Sequence, residues 1–204
     1  MRYALWLLAA ALPAAAQPKL LINAQVDTRS ASAGLEPAFR SLLGVQPQPA
    51  WIGYSVPSIR SYGLGCEYVS PEGRSVPGVV HLEPPDQLVM LFRIEGGEVS
   101  RIRSLSPDCE IDAGGVPVHW LAEVRPGDSV AFLTSFAQAT ITPRSLRSNA
   151  IRALGMSADP AALDALMGIA RNGMDKSARR QAVNAISWSK DPRALAFLQD
   201  VLKR

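Results

Sequence analysis

From Ser145 onward, apolar residues return every three or four positions, the spacing of a helix that buries one face. Ala162, Leu163, Leu166, Ile169 and Ala170 form one such stripe, and Ala194, Leu195, Leu198, Val201 and Leu202 repeat it 32 residues later. The whole stretch Ser145 to Asn172 aligns with Ser177 to Arg204 at that offset without a gap, and ten of the 28 aligned pairs are identical. The spacing predicts one helix from about Ser145 to Met156 and a second from Asp159 to about Arg171, with copies of both in the next unit. Asp159-Pro160 and Asp191-Pro192 mark helix starts. An aspartate at the N-cap accepts a hydrogen bond from an orphan helix amide, and a proline at the first helical position gives up an N–H that has no partner there anyway. Ala150 with Ala153, and Ala182 with Ala185, put small side chains one turn apart, which lets neighbouring helices approach closely.

Upstream of the repeats, glycine and proline punctuate short runs of branched and aromatic residues, which reads as β structure. Strands are expected at Leu20 to Asp27, Trp51 to Ser55, Val79 to Leu82, Gln87 to Ile94, Val99 to Leu105, Cys109 to Asp112, Pro117 to Glu123 and Ser129 to Leu133. One helix, Leu35 to Leu43, interrupts them, with Pro37 in its first turn and Gly44 as its stop. In the hairpin "LVMLFRIEGGEVSRIRS", a two-residue Gly96-Gly97 turn sets Phe92 against Arg101. A three-residue loop sets Phe92 against Ile102 and gathers Met90, Phe92, Ile94 and Ile102 on one face. The second register is expected, with a bulge at a positive-φ glycine. The fold class is therefore α+β, a β-rich domain over residues 17–138 followed by a short all-α helical-repeat module with units at 145–172 and 177–204.

The repeated motifs "NAIRAL" with "SADPAALDAL" and "QAVNAI" with "SKDPRALAFL" resemble HEAT repeats, in the short form shared with the phycobilisome-lyase HEAT-like family. The resemblance covers about the last third of the chain and implies a right-handed α-solenoid that binds another macromolecule. Some relatives act as bilin lyases, but nothing in these residues supports lyase chemistry. The segments "WIGYSVP" and "FRIEGGEVSRIRSLSPDCEIDAGGVPVHWL" are similar to the front domain of exported bacterial HEAT-repeat proteins of unassigned activity.

Residues 1–16 carry Arg2, an apolar stretch from Ala4 to about Leu12, and Ala14-Ala15-Ala16 before Gln17, the layout of a cleavable signal peptide. The apolar run is too short for about 30 Å of hydrocarbon, so no stable membrane anchor is expected. An exported chain meets an oxidising compartment, periplasmic or extracellular, where Cys66 and Cys109 most simply pair with each other. The bridge would close a loop of about 43 residues and contribute about 4 kcal/mol on the chain-entropy account. Charge divides the chain: residues 17–140 hold 9 basic and 13 acidic side chains, residues 141–204 hold 11 and 5. The halves are expected to attract each other and dock, because two helix pairs are fewer than a free solenoid needs. The basic residues are scattered without aromatic interleaving, and with export this argues against nucleic acid.

Candidate chemistry is sparse. Arg93, Arg101 and Arg103 share a strand face that would receive an anion or stand solvated beside Glu95 and Glu98. Asp108, Glu110 and Asp112 alternate on one strand, but Ala113 and His119 occupy the places where a calcium loop needs glycine and a bidentate glutamate, so no metal site is assigned. Gly53-Tyr54-Ser55-Val56-Pro57 approximates a nucleophile elbow yet ends in proline, and His81 and His119 are the only histidines. No cofactor motif is present. The last helix keeps an apolar face as wide as that of the interior unit, where a terminal cap should be polar. Trp188, Phe197 and Val201 are thus candidates for an exposed contact with a protein partner or a second copy, or else for packing on the β domain. The expected function is protein binding or scaffolding in the cell envelope without catalysis; the alternative is a small periplasmic hydrolase with its site in the β domain.

Overall fold

The computed structural model describes residues 21–59, 68–69, 75–76, 86–107, 109–173 and 175–203. Residues 1–16, read as a signal peptide, together with Cys66, His81, Asp108 and the strand expected at Val79 to Leu82, lie outside the described residues. The elements run β1 (Leu21–Ile22), β2 (Val26–Ser30), α1 (Leu35–Leu42), β3 (Ala50–Pro57), β4 (Tyr68–Val69), β5 (Ser75–Val76), β6 (Gln87–Glu95), β7 (Glu98–Leu105), β8 (Ile111–Asp112), β9 (Val118–Ala122), α2 (Pro126–Gln138), α3 (Arg144–Met156), α4 (Pro160–Asn172), α5 (Lys176–Ser187) and α6 (Pro192–Leu202). A β-rich first half followed by a run of helices is the α+β arrangement expected from the patterning.

Five strands form one sheet in the order β2-β9-β3-β6-β7. β9 runs parallel to both neighbours, and β6 runs antiparallel to both β3 and β7. Alternation along each strand sends Ile52, Tyr54 and Val56 from β3, Leu88, Met90, Phe92 and Ile94 from β6, and Ile102 from β7 to the inner face. Phe39 of α1 and Phe132 of α2 meet Phe92 there at ring-centroid distances of 5.2 and 5.5 Å. This core continues without a break through Leu146, Ala150 and Leu154 of α3 to Leu166, Ala182 and Phe197. Sheet and helical stack bury their apolar faces against each other.

The strand expected at Ser129 to Leu133 is instead the first half of α2. Five residues are too few for periodicity to separate the two periods, and the helical spacing of Ser129, Val130, Phe132, Leu133 and Ala137 emerges only over three turns. Pro126 opens this helix from its first position. The buried Ser129 has a partner in Tyr54, whose hydroxyl lies 2.9 Å from the serine Oγ. α2 packs on α3 and α4 and so supplies the helical layer that two units alone would lack. The sheet also grips the first unit by backbone: Ile59 N donates to Met156 O at 2.9 Å and Ala158 N to Pro57 O at 3.1 Å.

The hairpin pairs Phe92 with Ile102 and Arg93 with Arg101, the register that keeps the inner face apolar. It does so with a two-residue Gly96-Gly97 turn, both at positive φ, and the extra residue sits at Ser100 on β7. The bulge therefore lies within the ladder and not in the loop. Asp159, Asp175 and Asp191 cap α4, α5 and α6, accepting from Ala161 N, Ala178 N and Arg193 N at 2.8 to 2.9 Å. The caps at Asp159 and Asp191 are those read from the Asp-Pro pairs.

Candidate functional site

The two repeat units offer a controlled comparison, because each residue of the second has a counterpart 32 positions earlier on the same helix face. Leu163 is 6% exposed and Leu195 is 62% exposed; Ile169 is 1% exposed and Val201 is 37% exposed. Met156 is half-buried against the core, whereas Trp188 is 75% exposed. In the first unit, α4 is flanked by α2, α3 and α5. Among the described residues nothing takes the corresponding place beyond α6, so the second unit keeps interior-type side chains on an open face. Scattered surface apolar residues are ordinary; three at the phase of a packed interface are not.

Phe197 is not part of that open face. It is 5% exposed, joins the continuous core and lies beneath the Arg171 guanidinium, 4.8 Å from the ring centroid. It replaces Ala165 of the first unit. The exposed large apolar residues of the second unit are therefore Trp188, Leu195 and Val201, with Leu195 taking the place that the sequence reading gave to Phe197. The offset alignment carried the signal for Leu195: a residue identical to the buried Leu163 recurs in the second unit. At the rim Arg193 binds Asp164 at 2.9 Å and Asp191 at 2.8 Å, tying the start of α6 to α4. The Arg193 hydrogen bond, followed by the helix amide, holds the Asp191 carboxyl below the usual range. Between units, Arg147 reaches Asp175 at 2.7 Å and the carbonyl of Ala139 at 3.1 Å.

The outer face of the sheet presents a second feature. Gly53 lies in β3 beside Leu91 and Trp120, and a Cβ there would stand 2.7 Å from Leu91 Cδ2 and 2.9 Å from Trp120 Cζ3. The glycine leaves room for Trp120, which with Val89 and Leu91 forms a small cluster flanked by Trp51, Leu105 and Ile111. Beside it opens a cavity of about 290 Å³ lined by Trp51, Leu91, Leu105 and Val118, with Arg101 and Arg103 on one wall and Glu110 and Asp112 on another. Of the three arginines read as an anion-binding face, Arg93 is already committed. Its Nε binds Glu95 at 2.6 Å and its guanidinium lies 5.8 Å from the Trp51 ring centre. Cys109 is buried on the cavity's edge.

The hydrolase reading gains no geometry from the described residues. Ser55 points to the outer face and its Oγ donates to Gln87 Oε1 at 3.0 Å. His119 is buried on the inner face of β9, its Nδ1 3.4 Å from Asp27 Oδ2. Arg29, with a smaller contribution from His119, holds the Asp27 carboxyl below the usual range. Ser55 and His119 thus lie on opposite sides of the sheet. Among the described residues no group of three His, Cys, Asp or Glu side chains is placed to hold a metal ion, and no helix is long and apolar enough to cross a membrane.

The sequence profile of HEAT repeats matches residues 136–204, from the last turn of α2 through α6. The helical half of the chain is thus similar to HEAT repeats, which serve generally as protein-interaction modules. No curated protein and no solved structure matches the chain.

Proposed function

We propose that this chain is an exported, non-catalytic binding protein of the cell envelope whose HEAT-like module holds a protein partner through the open end of its helical stack. The observation that carries this reading is the exposure of Trp188, Leu195 and Val201 at positions whose counterparts in the preceding unit are buried or half-buried. A partner that presents a helix fits that face, because a helix is what α5 supplies one unit earlier. Large aromatic anchors such as Trp188 carry a disproportionate share of binding energy at such contacts. The remaining parts of the reading are a signal peptide over residues 1–16, export to the periplasm or beyond, and a Cys66–Cys109 disulfide beside the outer-sheet cavity.

The test places a photo-crosslinking residue at position 195 in the full chain, produced in cells, with position 152 on the exposed side of α3 as control. A discrete protein adduct at 195, absent at 152 and abolished by Trp188→Glu, is the expected outcome. An adduct made of a second copy would assign the surface to self-association. No adduct above the control would remove the reading. Mass spectrometry of the same protein tests the rest: the mature chain should begin at Gln17, and its two cysteines should resist alkylation until reduced.

A further inference from the structure

The outer-sheet cavity lies on the face of the sheet opposite the helices and calls for a ligand of its own. Its floor is apolar and aromatic, formed by Trp51, Leu91, Leu105 and Val118. Arg101 and Arg103 stand two residues apart on β7 and so project from the same face of the strand onto this floor. Neither guanidinium makes a hydrogen bond or close ion pair among the described residues, although Arg101 adds a small through-space attraction to Glu95, which Arg93 binds directly. On the facing wall Asp112 is occupied, its Oδ1 accepting from Asn23 Nδ2 at 3.1 Å and from Gly114 N at 2.8 Å. Glu110 and Asp112 set two carboxylates against the two guanidinium groups of the other wall, so the described lining is balanced in charge and polarised across the cavity.

Volume narrows the ligand class. About 290 Å³ is near the lower end of small-molecule sites and far too little for a folded segment of a partner. At roughly 30 Å³ per water-sized group, it accepts a body of about ten non-hydrogen atoms. Two adjacent guanidinium groups prefer a planar oxyanion that accepts from both, and the apolar floor asks for a ring or short chain behind it.

We propose that this cavity binds a small amphipathic carboxylate, its head paired with Arg101 and Arg103 and its apolar body against Trp51 and Leu91. The site is independent of the open helical end.

Ligand-observed NMR titration of the full mature chain with 3-phenylpropionate, its neutral amide 3-phenylpropionamide, and sodium sulfate tests the proposal. The acid should bind at one site, and the amide and sulfate should each bind at least about tenfold more weakly, because one lacks the charge and the other the apolar body. Arg103→Gln and Arg101→Gln should each weaken the acid by about tenfold, the cost of one charge-assisted hydrogen bond, with circular dichroism unchanged at these exposed positions. Trp188→Ala, on the helical end, should leave the titration as it was. Absence of binding by the acid at millimolar concentration, equal affinity for acid and amide, sulfate binding as well as the acid, or indifference to both arginine variants would each overturn the proposal.

Discussion

Replacing Leu163 and Leu195 by alanine, one at a time, perturbs the same residue at the same phase of successive units and reads directly whether the helical stack ends open. Leu163 is 6% exposed and packed into the continuous core; Leu195 is 62% exposed. Full burial of a leucine side chain is worth about 1.5 to 3 kcal/mol, and truncation at a packed site adds a cavity term of about 24 cal/mol per Å³ left unfilled. Leu163→Ala should therefore cost about 2 to 4 kcal/mol. Leu195 has lost only about two fifths of its surface to neighbours and leaves no closed cavity, so Leu195→Ala should cost less than about 1 kcal/mol. Urea unfolding at low micromolar protein, followed by circular dichroism, gives both values from the midpoints provided the slope is common to the variants. The helix propensity change is the same at both positions and cancels in the comparison. Equal losses for the two variants would refute the reasoning, since they would mean that α6 is packed as deeply as α4. A Leu195 loss that grows with protein concentration would assign the face to a second copy.

Other consequences follow from single contacts. Phe197→Ala should cost about 3 kcal/mol or more in the same assay, whereas Trp188→Ala should stay within about 0.5 kcal/mol, which separates the core aromatic from the exposed one. Tyr54→Phe leaves the buried Ser129 Oγ without its 2.9 Å partner and should destabilise by about 1 to 2 kcal/mol, and adding Ser129→Ala should recover part of that loss. Burial pushes the Tyr54 hydroxyl far above the ordinary tyrosine range, against a smaller opposing effect of Ser129. Because the folded-state value is raised, its contribution to stability is complete below about pH 10 and is lost as pH climbs above that. Ultraviolet titration should accordingly show one tyrosine that ionises only with unfolding. Gly53→Ala drives a methyl into Leu91 and Trp120 and should cost about 1 to 3 kcal/mol, with partial rescue by Leu91→Ala.

The repeats were legible in the sequence because three independent signals agreed there: the 32-residue identity, the 3.6-residue apolar spacing and the Asp-Pro caps. The hairpin register was legible for a different reason, since the competing pairing puts Arg101 into the aromatic core. The place of the bulge was not, because Ser100 enters through backbone geometry that side-chain patterning does not record. α2 was misread where a five-residue apolar run satisfied both periods, and the polar look of Ser129 hid a buried hydrogen bond to a residue 75 positions away. Phe197 looked exposed because its helix face is wide. It is packed into the continuous core, with Arg171 of a different helix holding its guanidinium over the ring. Local pattern reports which faces are apolar; which of them stays uncovered is decided by neighbours distant in sequence.

That distinction explains why, among the described residues, the α6 side of the stack is the uncovered one. A solenoid of two units has two terminal faces, and each exposes interior-type residues unless something caps it. Here the first face is capped from within the chain: α2 lies against α3 and α4, the sheet packs behind them, and the bonds between Ile59 and Met156 and between Pro57 and Ala158 clamp the loop that leaves α3. The counterpart of that clamped loop in the second unit begins at Trp188 and has no strand beside it among the described residues. A side chain that needed only to terminate the stack would be polar at 188 and 195, as a charged residue is at 193 and 200. Apolar residues at the positions that face outward, together with an anchored and preorganised opposite end, give a surface whose docking does not have to meet the ordering cost of the helices that present it.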